Sequence, residues 1–400
     1  MNRIPRSVVW LCVLAFALRL GTILIAPGHF WAYTVYYDMA RVVAGGGGYC
    51  MSPGMLCAYF PPVYPTIVAA CILTGHPMPA IMIAGSLAGA GTVWLTFLTG
   101  RRLFGEFAGW LAAACAAVYP YFVWHDAVLQ ETATLTLVVA ASIYLLVRSN
   151  HSNSRRLWLS AGTVLGLTVL TKANLLLFVP LALGWMWFFG RRRVLWVALG
   201  VTLTLGPWVA RTWRITGSPV LYSNGGMALW AANHAQTFDY FPEKSIDEAS
   251  DAEYGNLSAA DKRELEALND PQGLGQARWY WNKGMEFILA NPGLTLKRAI
   301  YKIWIAFSPV FSPAKPGWFQ AVYFLSYFPL LVLTAAGVWL SRRKWRELGI
   351  LYILVLSFAL GTAALWGHTS HRMYVEPYLM IFAAYFVAYF VNRRGYRSIE

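Results

Sequence analysis

Residues 79–124 read PAIMIAGSLAGAGTVWLTFLTGRRLFGEFAGWLAAACAAVYPYFVW. Two apolar runs, Pro79 to Thr99 and Glu106 to Trp124, are separated by Gly100-Arg-Arg-Leu-Phe-Gly105. A hydrocarbon core about 30 Å thick needs roughly 20 mainly apolar residues per helix, so each run reads as a membrane span and the arginine pair as the turn between them. The alternation of apolar run and short basic turn continues in both directions. The other spans expected are Val8 to Ala26, Val128 to Val147, Leu157 to Thr171, Ala173 to Phe189, Val194 to Thr212, Gln320 to Leu340, Glu347 to Trp366 and Tyr374 to Val391. The fold class is an all-α polytopic membrane protein with about ten transmembrane helices.

Composition excludes the soluble alternative. Of 400 residues, 58% are hydrophobic and 12% charged, against roughly 25% charged in a soluble domain, and the mean hydropathy is +0.48. A net charge of +14 could suggest a nucleic-acid partner, but that needs a basic face on a folded domain. Here 17 of the 32 basic residues fall in six short segments between spans: Arg3/Arg6, Arg101/Arg102, Arg148/Arg155/Arg156, Arg191 to Arg193, Arg342/Arg343/Lys344/Arg346 and Arg393/Arg394/Arg397. The positive-inside rule puts all six, and both termini, in the cytoplasm. Arg3 and Arg6 before the first span would suit a signal peptide, yet no small-x-small site follows, so the span reads as an uncleaved anchor.

Two segments then lie outside, and they divide the chain into residues 1–212, an N-terminal transmembrane module carrying the outer loop 27–78; 213–319, an outer loop with short helices; and 320–400, the C-terminal spans. The second loop holds ten of the 18 acidic residues, between Asp239 and Asp270. Pro61 to Thr74 is apolar but short, expected to lie along the interface or re-enter. Ser258 to Asn269 reads as a polar helix with Ser258 as N-cap, and Leu294 to Val310 as an interfacial helix. Cys50 and Cys57 share the first outer loop and form either a short disulfide or two free thiols. Gly45 to Gly48 lacks the frame of a phosphate cradle.

Carboxylates near the hydrocarbon are costly and call for a reason. Outside the acidic cluster and the cytoplasmic side, Asp38, Asp126, Glu131, Glu286 and Glu376 remain, and the first three map to the outer boundary. Arg41 follows Asp38 at i+3, on the same face if the stretch is helical: a base beside an anion-binding cation, or a surface ion pair. Of the few outer cations, Arg211 among them, Lys172 and Arg372 sit where a lipid phosphate would lie, or snorkel toward headgroups. Three acids and several cations at one level point to an anion-binding active site. His29, His234, His368 and His371 match no metal motif; a divalent ion at His368 and His371 stays open but is not indicated.

A series of motifs runs through the chain: Tyr36-Tyr-Asp-Met-Ala-Arg41 after the first span, Phe60-Pro-Pro-Val-Tyr-Pro65, Gly100-Arg-Arg-Leu-Phe-Gly105, Leu129-Gln-Glu-Thr132 and Leu170-Thr-Lys-Ala-Asn174. It continues with Gly206-Pro-Trp-Val-Ala-Arg211, Ser223 to Asn233, Asn291-Pro-Gly with Lys302 and Ser308-Pro, and His371-Arg-Met-Tyr-Val-Glu-Pro377. In this order they resemble GT-C glycosyltransferases of the protein O-mannosyltransferase and lipid A aminoarabinose transferase type. The resemblance implies a GT-C fold and transfer of a sugar from a polyprenyl-phosphate donor to a glycan, lipid or protein acceptor on the outer face of a bacterial plasma membrane, with no cofactor required. It implies Asp38 as base and Glu131 as a second catalytic acid. Arg41, Lys172, Arg211 and Arg372 would hold the donor phosphate, and Tyr37, Asp126, Asn233, His234, Lys302 and His371 would contact substrate. The chain departs from relatives in having Met39 where many carry a second acid, Tyr59 and Phe60 where aminoarabinose transferases carry a charged pair, and no large C-terminal outer domain. A transporter of a lipid-linked substrate is the alternative, but it would place ionisable groups at mid-membrane and show paired repeats. The acidic stretch Asp239 to Asp270, beside Asn224-Gly-Gly and Trp230 to Asn233, is expected to act as a mobile lid over the site, or to be a solvated connector.

Overall fold

The computed structural model describes residues 5–30, 34–126, 128–150, 152–189 and 191–397. In chain order its helices are α1 Arg6–Ile25, α2 Pro27–Phe30, α3 Thr34–Ala44, α4 Val63–Ile72, α5 Pro77–Phe104, α6 Glu106–Val118, α7 Pro120–His125, α8 Thr132–Ser149, α9 Arg155–Thr171 and α10 Phe178–Phe189. There follow α11 Arg191–Thr216, α12 Gly225–Ala232, α13 Thr237–Tyr240, α14 Ile246–Asn256, α15 Ala259–Glu266, α16 Leu274–Ala290, α17 Pro292–Phe307, α18 Gly317–Ser341, α19 Trp345–Ala364 and α20 Glu376–Arg397. No strand occurs among the described residues.

Each expected span is helical, though not always as a single helix. Five stretches are long and apolar enough to cross a membrane: Arg6–Ile25, Pro77–Phe104, Thr132–Ser149, Arg193–Thr216 and Gly317–Ala364, the last being α18 and α19 run together. α6 and α20 are apolar but shorter, as is α10 with the 3-10 turn before it. The protein is an integral membrane protein of all-α architecture. One boundary needs correction: the expected span Glu106 to Trp124 is broken, because Pro120 has no N–H and starts a separate short helix, α7.

Basic clusters meet in two places. Arg193 donates to the Asn150 carbonyl and lies over the Trp158 ring, which brings the clusters around residues 148–156 and 191–193 together. Lys344 sits over Phe104, the last residue of α5. Arg3 and residues 398–400 lie outside the described residues.

α5 packs on α1, α6 and α8, and α20 on α6 and α18. α9 and α11 meet through glycine: a Cβ on Gly162 would stand 2.0 Å from the Val197 carbonyl oxygen, and one on Gly200 2.4 Å from that of Leu159. Neither position accepts a side chain at this separation. Outside the bundle, α12, α15 and α16 bury Trp230, Leu265, Trp279 and Tyr280 in a small core of their own. α17 turns Lys302, Ile305 and Ala306 inward and exposes Leu296, Ile300 and Trp304, as an interfacial helix should.

Two buried ion pairs lock the bundle. Arg19 on α1, fully buried, donates to the Asp126 carboxylate at 2.6 Å and to the carbonyls of Ala117 and Ala116. The Ala116 carbonyl would normally bond the N–H four residues on, which is Pro120, so Arg19 satisfies an acceptor that the proline orphaned. Arg372 donates to Glu376 at 2.7 Å, to the Tyr323 hydroxyl at 2.6 Å and to the Ala306 carbonyl, with its guanidinium 3.8 Å from the Tyr327 ring centre. Both partners of that pair are wholly enclosed.

Candidate active site

α8 and α9 pack side by side, which brings the N-terminus of one beside the C-terminus of the other. Glu131 immediately precedes α8 and Lys172 immediately follows α9. An acid at a helix start and a cation at a helix end are each favoured by the helix dipole. Here the two meet: Lys172 Nζ lies 2.7 Å from Glu131 Oε1, with side-chain exposures of 21% and 7%. Tyr36 adds to the hold on the carboxylate, while Glu131 Oε2 makes no hydrogen bond of ordinary geometry.

The pair forms one wall of a cavity of about 360 Å³. Thr34, Val35 and Tyr36 of α3, Tyr59 and Phe60, Gln130, Asn224, Ile246 and Asp247, and His371 complete it. His371 donates from Nδ1 to the Trp366 carbonyl at 3.2 Å. Burial pushes its imidazole pKa down to about 3, with the Lys172 charge adding to the effect. The ring is therefore neutral at pH 7, and Nε2 is its lone-pair side.

Tyr59 and Phe60 end a short strap closed by a Cys50–Cys57 disulfide, which resolves the two options left open for these cysteines. The Arg211 guanidinium donates to the carbonyls of Cys57 at 2.8 Å and Tyr49 at 3.0 Å and lies over the Trp208 ring. Gln272 accepts from Cys57 N–H and donates to the Gly54 carbonyl. Leu56 N–H donates to the Pro271 carbonyl. The strap is thus tied both to α11 and to the outer helices.

Residues 60–209, less than half of the chain, match the family model described as dolichyl-phosphate-mannose-protein mannosyltransferase. The fold is similar to that of the oligosaccharyltransferase AglB from Archaeoglobus fulgidus, in complex with an inhibitory peptide and a dolichol-phosphate. The two share 13% identity over 99% of this chain and 52% of that one, with a TM-score of 0.59. The chain has the GT-C fold. A second structure of that enzyme, tethered to an acceptor peptide containing the NVT sequon, aligns at 14% identity over 98% of this chain and 50% of that one, with a TM-score of 0.57. ArnT from Cupriavidus metallidurans bound to undecaprenyl phosphate, at 14% identity over 95% of this chain and 77% of that one, gives a TM-score of 0.44, too low to bear on the fold. The chain spans about half the length of the AglB structures it matches. No curated protein matches its sequence.

Within the GT-C fold the expected site residues separate. Glu131, Lys172 and His371 share the cavity. Asp38 and Arg41 are exposed on one face of α3, with no ion pair between them. Thr34, which lines the cavity, is one turn before Asp38 on that face. Tyr37 is partly buried and packs against the small core formed by Phe30, Tyr64 and Val68.

Six site expectations are corrected. Arg372 cannot meet a phosphate, because it is enclosed with Glu376 and the tyrosines of α18. Arg211 spends its donors on the strap carbonyls. Asp126 is held by Arg19 inside the bundle rather than facing substrate. Asn233 donates to the Leu229 and Ala364 carbonyls, and Lys302, 1% exposed, donates to the Ala232 carbonyl and Asn233 Oδ1. Burial lowers that lysine's pKa to about 7, with Arg298 adding to the shift. His234 stacks on Trp230, and its Nδ1 accepts from Gln236 N–H. These last three close the C-terminal end of α12. Of the acidic stretch expected to act as a lid, Ile246 and Asp247 of α14 line the cavity, beside a packed segment in which Trp230, Ala231, Ala232 and Phe241 are buried.

Sequence reasoning missed Tyr36, Tyr59, Gln130 and Asn224. Their signal was weak: aromatic and amide side chains beside apolar runs look like interfacial residues until the chain brings them together. Among the described residues no group of three His, Cys, Asp or Glu side chains is gathered for a metal.

Proposed function

We propose that the protein is a glycosyltransferase that moves a sugar from a polyprenyl-phosphate donor to an acceptor hydroxyl on the outer face of the membrane, with both termini cytoplasmic. The supporting observation is the cavity of about 360 Å³ that opens beside the Glu131–Lys172 pair at the ends of α8 and α9. A cation held at the membrane boundary by one carboxylate suits a phosphate, which displaces part of that pairing and gains a charge-assisted contact. Lys172 is the donor-phosphate ligand, Glu131 positions its ammonium, and Arg41 supplements it from the rim. The leaving phosphate needs no proton when cations stabilise it.

Asp38 is the general base in this reading. It is an exposed carboxylate on α3, one turn after Thr34, which lines the cavity. The acceptor oxygen attacks the anomeric carbon, the bond from that carbon to the phosphate oxygen breaks, and the acceptor proton passes to Asp38. The polyprenyl phosphate leaves and the configuration inverts. The neutral His371 offers Nε2 as a hydrogen-bond acceptor for a sugar hydroxyl. Turnover of Asp38→Asn at saturating donor tests the assignment. A fall of roughly 10² or more with donor affinity unchanged is expected for loss of a general base. Near wild-type turnover removes Asp38 from the mechanism.

A further inference from the structure

A second cavity of about 360 Å³ adjoins the first across Gln130 and Asp247, which line both. Its outer wall is polar, with Ser245, Glu248, Lys315 and His368. Its inner wall is aromatic: Trp124, His125 and Phe311. Trp124 also lines a third space, a groove of about 170 Å³ between α7 and α18 formed by Pro120, Trp318, Phe319 and Val322 with two tyrosines. The two spaces share an aromatic wall, with Trp124 packed on Phe319 at 5.3 Å and Phe311 on Phe319 at 5.0 Å. α18 belongs to a stretch long and apolar enough to cross a membrane, and Trp318 and Val322 are 66% and 44% exposed, so the groove opens onto lipid. An apolar membrane-facing slot, a polar chamber and the transfer centre are therefore neighbours in series, the first two meeting at Trp124 and the last two at Gln130 and Asp247.

That gradient has the shape of an amphiphile. Lys172 lines the first cavity and not the second, and the groove shares a residue with the second cavity but none with the first, so the donor phosphate and the groove lie on opposite sides of Gln130 and Asp247. We propose that the acceptor is a membrane lipid, its tail lying in the groove between α7 and α18 and its head group filling the second cavity. The inference rests on the glycosyltransferase reading and goes against the protein acceptor named in the matching family model. A peptide reaching the centre from solvent would have no use for an apolar slot facing the bilayer. A lipid head group would meet the carboxylate of Glu248, the ammonium of Lys315 and the aromatic faces of Trp124 and Phe311, a set suited to hydroxyls and sugar rings. Its hydroxyl would reach the donor at Gln130 and Asp247.

The test uses the full-length protein in nanodiscs with a radiolabelled polyprenyl-phosphate hexose and a detergent extract of source-cell membranes containing both lipids and proteins. Val322→Trp fills the groove; Leu325→Trp, on the same helix at a site 71% exposed and outside the groove, is the control. The expected result is label in the organic-soluble lipid fraction, at least tenfold lower for Val322→Trp than for the wild type and unchanged for Leu325→Trp. Donor binding, measured separately, should be equal in all three, which also shows that Val322→Trp is folded. Label in the protein fraction overturns the lipid acceptor and leaves the glycosyltransferase reading standing. Lipid labelling that Val322→Trp does not reduce overturns the groove assignment, and a matching loss of donor binding gives the groove to the donor instead. No transfer to any fraction overturns both readings.

Discussion

Lys172 and Glu131 hold each other so closely that removing one changes the meaning of the other. Lys172→Met strands a carboxylate that is 93% enclosed, and breaking such a pair costs about 3 kcal/mol or more. The double variant Lys172→Met/Glu131→Gln removes both charges and should recover most of the thermal midpoint measured in detergent. It should still fail to bind donor lipid, whereas recovery of binding would reduce Lys172 to a structural role. The buried histidines set a second expectation. His368 is held neutral, its pKa pushed well below 6.5 by burial with nearby positive charges adding, and His371 is lowered to about 3. Below pH 6.5 the unfolded chain takes up protons that the folded one refuses, so stability is full above that value and falls as pH drops toward 3. Each group contributes up to about 1.4 kcal/mol per pH unit. Thermal midpoints between pH 7 and 5 should decline, and His371→Asn should flatten the slope; an equal slope in that variant would mean His371 does not carry the effect. Part of this site was legible in sequence. Glu131 and Lys172 stood out because charge near hydrocarbon is conspicuous. Arg372 and Asp126 stood out for the same reason and misled, since sequence marks a buried charge but not its partner: Glu376 stands in the same motif as Arg372 without announcing the pair, and Arg19 lies in no motif.

The strap from Tyr49 to Tyr59 behaves as a small element although it has no regular structure. Its disulfide closes a short loop, and loops of this kind gain about 2 kcal/mol from the lost freedom of the unfolded chain. Replacing Cys50 and Cys57 together by alanine should lower the thermal midpoint and loosen Tyr59 and Phe60 at the cavity. Activity should then fall through weaker substrate binding rather than a slower chemical step. A loss confined to kcat would show that the strap does more than hold the wall. Arg211→Met should resemble the cysteine pair, since its two donors end on the same strap; a specific loss of donor affinity, with stability intact, would restore it as a phosphate ligand. At this scale the helices themselves were readable from apolar run length and arginine turns, because those are local properties. The break at Pro120 was less so. The proline was visible, but its tolerance depends on Arg19, 101 residues earlier, donating to the carbonyl of Ala116.

Across the whole molecule, the two buried pairs join distant parts of the chain: α1 to α6 and α7, and the start of α20 to α17 and α18. Arg372→Leu leaves Glu376 alone in a dry interior and should destabilise by about 3–5 kcal/mol, with yield and midpoint falling together. Arg372→Leu/Glu376→Leu should regain much of that loss. If the single variant instead kept its fold and lost donor lipid, the phosphate assignment would return. Which helix touches which was not legible in the sequence, because apolar faces carry little directional information in a membrane, where lipid is as apolar as a neighbour. The glycines of α9 and α11 are the exception in hindsight. Where two backbones touch with no side chains between them, there is no slack to absorb a tilt or a shear. Lys172 stands at the end of one helix and Arg211 near the end of the other. The ammonium and the clamp on the strap are therefore two tines of a single rigid fork: a push on the outer loop arrives at the phosphate ligand as displacement, not as strain dissipated along the way.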